Sequence, residues 1–285
     1  DVELALVGAH YDTLKGMADD YTDTLRATDF TAALEPSARR KLELYFLLHL
    51  FSTSLYTAIR RLVPADEIFP DRPDGGAWIA EGLRFPADFD FSAGRVWRYT
   101  YGGRRDARWD SMLGAKRIEL HIYDMQPDLN RYARGPVELR DGDLALLLYL
   151  LHRGIPIETT GLDPLLLQDL PHLADCEILG YVGGKPQVRL PILSPDEYGA
   201  LEEIRLRHTQ RWADFFTPVL SDALPGLKLE LPAHLEGRVP AFRCYSCYSI
   251  PMAFLKRAAE AGAFAADGAV PPMVLVLEDN NAGSR

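Results

Sequence analysis

Cysteine is scarce in this chain, with 3 among 285 residues. So small and odd a set cannot build a disulfide framework, which favours a reducing compartment, and a cytoplasmic location is expected. Long apolar runs are also missing. The longest unbroken one, Leu144 to Leu151, falls far short of the roughly 18 residues that mark a bilayer span. No basic-then-apolar leader opens the sequence, so no membrane partner is expected. Positive charge is in deficit, with 31 Lys and Arg against 41 Asp and Glu, a formal net charge of -10. That balance repels nucleic-acid phosphate and anionic lipid wherever no local patch reverses it. There is no Gly-rich phosphate loop, no nucleophile elbow, no paired-carboxylate spacing and no fixed-period repeat. No cofactor is expected.

What the chain does hold is helical patterning. Leu4, Val7, Tyr11, Leu14, Ala18, Tyr21 and Leu25 recur at spacings of three and four, an apolar stripe on a helix. A second helix is predicted from Pro36 to Val63, with Pro36 in its first turn and Pro64 as its stop. Ser194-Pro195-Asp196-Glu197 spells a capping box with proline at the first helical position. The long helix it opens carries Tyr198, Leu201, Ile204, His208, Trp212 and Phe215 on one stripe and is expected to end at Pro218.

Strands are predicted elsewhere. Residues 95 to 110 alternate around Gly102-Gly103, which reads as a hairpin, and "RIELHIYDM" follows as a third strand. Between residues 138 and 193 the pattern is helix "DGDLALLLYLLHRG" closed by Gly154, helix "DPLLLQDLPHLADCE", then two strands around Gly183-Gly184-Lys185. The C-terminal part reads strand, helix, strand before a polar tail. These readings give an α+β protein: an N-terminal helical hairpin (1–64), a small antiparallel sheet with a basic aromatic hairpin (86–137), a degenerate winged-helix-like unit plus the long helix (138–222), and a small C-terminal α/β piece (223–285).

Two resemblances bear on function. The stretch "LVGAHYDTLKGMADD" resembles the signature of co-catalytic zinc aminopeptidases. That likeness implies a zinc ligand at His10, a carboxylate orienting it at Asp12 and a metal-bridging Asp19. A helix through this stretch would set His10 and Asp12 about 200° apart, which separates the two ligands. The hydrolase is therefore the alternative and the helix the leading reading. The helix, helix, hairpin order over residues 138 to 193 resembles winged-helix-containing bacterial transcriptional regulators. A DNA reader needs cations on its recognition helix and wing, yet residues 138–197 hold ten acids against Arg140, Arg153, Lys185 and Arg189, a net -6. Binding to nucleic acid is not expected through this chain. The leading expectation is a non-enzymatic regulatory module, the ligand-sensing or partner-binding portion of such a regulator, with a DNA-binding domain upstream of Asp1.

The hairpin region supplies the candidate ligand site. Residues 95–117 carry seven cations against two acids, a local +5, interleaved with aromatics. Trp97, Tyr99, Tyr101, Arg108 and Trp109, with His121 and Tyr123 from the next strand, form a predicted platform for a small anionic or planar ligand. The competing reading is an aromatic face packed on the core. Helices 4–25 and 195–217 offer amphipathic surfaces for a homodimer. Cys244 and Cys247 form a CxxC, but only Cys176 and His234 could complete a metal site, so they read as ordinary cysteines.

Overall fold

The computed structural model describes residues 2–62, 96–100, 116–123, 141–155, 170–175, 177–223, 250–251, 253–262 and 273–279. The elements are α1 (Val2–Arg26), α2 (Asp29–Ala33), α3 (Pro36–Leu62), β1 (Val96–Thr100), β2 (Lys116–Tyr123), α4 (Asp141–His152), α5 (Leu170–Asp175), β3 (Leu179–Val182), β4 (Lys185–Val188), β5 (Ile192–Leu193), α6 (Pro195–Ala223), a helix over residues 253–260 that we call α7, and β6 (Met273–Asp279). The chain is mostly helical with small sheets, an α+β protein.

Two compact units share these elements, each assembled from three stretches of chain. The first takes residues 1–27, 46–96 and 202–267, and the second takes 28–45, 97–201 and 268–285. In the first unit the predicted stripe of α1 is buried at Leu14, Ala18, Tyr21 and Leu25. An aromatic centre holds it: the Phe51 ring lies 4.6 Å edge-on from Trp212, 5.0 Å from Phe254 and 6.0 Å from Phe216. Offset and edge contacts of this kind add to the area that such large rings bury. Pro36–Ile59 of α3 is long and apolar enough to cross a bilayer by length and composition, a feature that counting unbroken runs does not reveal. Of its most apolar window, 83% is buried inside the protein.

The second unit is built on a four-stranded sheet in the order β1-β2-β6-β5. Strand β6 is antiparallel to β2, with Leu120 opposite Leu275, and parallel to β5, with Ile192 opposite Leu275. The sheet is therefore mixed, not antiparallel throughout, and residues 273–279 lie inside it and not in a separate C-terminal piece. The alternation of β2 assigns its faces. Ile118 and Leu120, with Leu275 and Leu277, pack against the buried leucines of α4, which also touch Leu173, Ile178 and Leu179. Helix α4 ends as predicted: Gly154 has φ +68, and the amides of Gly154 and Ile155 bond back to Leu151 and Leu150. This is the paired closure that an αL glycine permits.

The β3–β4 hairpin forms with Gly183 and Gly184 at its turn, both at positive φ, as a two-residue turn between twisted strands requires. The capping box at the start of α6 is also formed. Glu197 accepts from the Ser194 amide at 2.7 Å and from its hydroxyl at 2.8 Å, while the Ser194 hydroxyl accepts from the Glu197 amide at 3.3 Å. One boundary differs. Helix α6 runs through Pro218 to Ala223. Proline removes a single intrahelical bond, and because Pro218 is exposed, water can meet the carbonyl it leaves behind.

Candidate functional site

Strand β2 reads Ile118-Glu119-Leu120-His121, and all four residues are buried. Apolar residues on one face are ordinary; an acid and an imidazole on the other are not, because buried charge is costly unless paired. Glu119 is 7% exposed and His121 2%. They are two positions apart, so they share a face, and His121 Nε2 lies 2.8 Å from Glu119 Oε2. On the far side of the ring, His121 Nδ1 is 3.4 Å from the hydroxyl of Tyr45 on α3. That hydroxyl is 3.2 Å from the hydroxyl of Tyr198, in the first turn of α6. The Tyr198 ring also stands edge-on to the imidazole at 4.9 Å. All four residues belong to the second unit, and each has interactions beyond these.

The order Glu119, His121, Tyr45, Tyr198 is a chain of exchangeable protons whose polarity follows the histidine. The carboxylate takes the Nε2 proton, which fixes the tautomer of a neutral ring. Nδ1 then accepts from Tyr45, and Tyr45 accepts from Tyr198. With an imidazolium, Nδ1 donates instead, and both hydroxyls can reverse. Tyr198 is only half-buried, so the chain links a buried carboxylate to a part-buried tyrosine. Such an arrangement can relay a proton or present either a donor or an acceptor to a ligand.

The first unit holds a polar network of its own. His49, fully buried, places Nδ1 3.3 Å from Glu202 Oε1. Glu202 Oε2 accepts two bonds from Arg205, at 2.9 and 2.6 Å, and Arg205 Nη1 donates to Thr53 at 3.0 Å. Burial alone would raise the Glu202 pKa, but His49 and Arg205 together outweigh it and hold the group at about 2. This network pins α3 to α6 within the unit. In the second unit, Lys41 is buried and donates to Ser37 at 2.7 Å, and that burial lowers its pKa.

Of the predicted platform, Trp97 and Tyr99 stand on β1, and Tyr123 ends β2; their side chains lie outside the described residues, as do Tyr101, Arg108, Trp109, the Gly102-Gly103 turn, Cys176, Cys244 and Cys247. His121 is the member whose surroundings are described, and it faces Glu119, Tyr45 and Tyr198. Its partners were missed for a physical reason. Tyr45 and Tyr198 sit on apolar helical stripes and look like core, and only the Glu-x-His alternation inside an apolar strand hinted at a buried pair. His10, Asp12 and Asp19 lie on one uninterrupted helix. The His10 ring meets Phe215 edge-on at 5.7 Å, and Asp19 pairs with Lys15 at 2.6 Å. Among the described residues no group of three His, Cys, Asp or Glu is placed to hold a metal ion. Comparison with protein-family models, curated proteins and solved structures finds no match.

Proposed function

We propose that this chain is a non-enzymatic regulatory module, the ligand-sensing or partner-binding portion of a bacterial transcriptional regulator acting in the cytoplasm. The observation that carries this reading is the order α4, α5, β3–β4 gathered on one apolar core, combined with its charge. Residues 163–177 hold no Lys or Arg, and residues 138–197 sum to -6. A winged-helix-like unit of that sign repels phosphate and suits a protein surface. Its hairpin tip presents Tyr181 and Val182, 51% and 64% exposed, side chains of the kind that mark contact surfaces. A homodimer through α1 and α6 belongs to the same proposal, with Leu206 exposed on the outer face of α6.

The ligand-sensing arm rests on Tyr198, half-buried and linked through Tyr45 and His121 to Glu119. A small anionic or planar ligand suits a hydroxyl whose polarity can turn with His121. A thermal-shift screen of small carboxylates, phosphates and planar aromatics tests it, since a ligand selective for the folded state raises Tm. The expected result is at least one stabilising compound whose effect is lost in Tyr198→Phe. Absence of any such compound, or two equivalents of zinc held through His10 with peptidase turnover, would replace the regulatory reading with another.

A further inference from the structure

In the first unit a groove of about 290 Å³ opens beside α1 and α7, lined by Leu4, Val7, Gly8, Lys256, Arg257 and Glu260. Its floor is apolar. Val7 is buried, whereas Leu4 is 41% exposed, one of four large exposed apolar side chains among the described residues. Its rim is cationic on balance, with Lys256 and Arg257 against Glu260. Arg257 is braced in place: its guanidinium carbon lies 5.7 Å from the centre of the Tyr11 ring, and Nη1 lies 3.7 Å from Glu260.

Gly8 adds a separate observation. It sits inside α1, where glycine is a poor helix former. Among the described residues nothing lies within 4 Å of the position a Cβ would take, so none of them calls for glycine there. What its missing side chain does is leave the groove open.

We propose that this groove binds a small carboxylate with an apolar tail, such as a medium-chain fatty acid. The tail covers Leu4 and Val7 and lies across Gly8, and the carboxylate meets Lys256 and Arg257, with Arg257 able to offer two parallel N–H donors. A volume near 300 Å³ is at the lower end for ligand pockets, which limits the occupant to a short chain. The site lies wholly in the first unit and does not depend on the regulatory reading.

Decanoate titrated calorimetrically into the 285-residue chain tests it, with decanol as the uncharged control. Saturable decanoate binding is expected, weakened by about three- to fivefold in Arg257→Ala and in Lys256→Ala, the upper part of the range for exposed charge pairs. Decanol should bind about tenfold more weakly, having lost both charge contacts. Gly8→Leu should fill the groove and reduce affinity by more than about tenfold, while Tm holds or rises because leucine is the better helix former. A retained Tm separates lost binding from lost folding. The proposal fails if decanoate does not saturate, if Gly8→Leu binds as tightly as the parent, or if decanol matches decanoate.

Discussion

The part-buried Glu202 and the buried Glu119 carry different meanings. Glu202 is held at about pKa 2 against a burial effect that pushes the other way, because His49 and Arg205 stabilise its charge. A folded-state pKa below the ordinary 4.5 gives stability that is present above 4.5 and lost as pH falls toward 2. The depression corresponds to about 3 kcal/mol. Urea denaturation of Glu202→Gln should therefore show a deficit of that size at pH 7, narrowing steadily below pH 4.5; a deficit independent of pH would assign the loss to packing. Glu119 and His121 call for a double-mutant cycle. His121→Leu removes the bond that the buried Glu119 carboxylate receives at 2.8 Å and should cost about 3–5 kcal/mol, while Glu119→Leu with His121→Leu should restore part of that loss. If the double variant is as stable as the parent, the pair is not kept for stability, which agrees with a sensing role. A double variant as unstable as His121→Leu would mark the pair as structural.

At the scale of elements, local chemistry was the part the sequence expressed well. The stripe of α1, the Gly154 closure of α4, the Gly183-Gly184 turn and the capping box of α6 each depend on residues within a few positions of one another, and each appears where the pattern places it. Ser194→Ala removes the hydroxyl that caps the Glu197 amide and should lower stability by about 1 kcal/mol, read as a shift in denaturation midpoint. An unchanged midpoint would mean that the serine is dispensable to the cap. Pro218 shows the limit of such rules. Its ring forbids one hydrogen bond, and at an exposed turn that single loss does not outweigh the contacts of Phe216 and Leu220 on either side. The sheet was not legible in the same way. Strand β6 pairs with β2 across more than 150 positions, and no local pattern specifies a partner at that distance. The same holds for the candidate site, where Tyr45, His121 and Tyr198 come from three elements and only Glu119 is His121's near neighbour in sequence.

For the molecule as a whole, linear order conceals the architecture. Each unit draws on three separated stretches, and α3 and α6 contribute residues to both, whereas periodicity reads only contiguous segments. Charge, by contrast, is a whole-molecule property that the sequence states outright: -10 over the chain and -6 over residues 138–197. The account turns on that sign, because it separates the proposed regulatory, protein- or ligand-binding use of residues 138–197 from DNA reading. The most direct test is fluorescence anisotropy of labelled duplex DNA titrated with this chain at about 50 mM salt, where phosphate contacts are strongest. The account predicts no saturable change in anisotropy; saturable binding whose affinity falls linearly with the logarithm of salt concentration would contradict it.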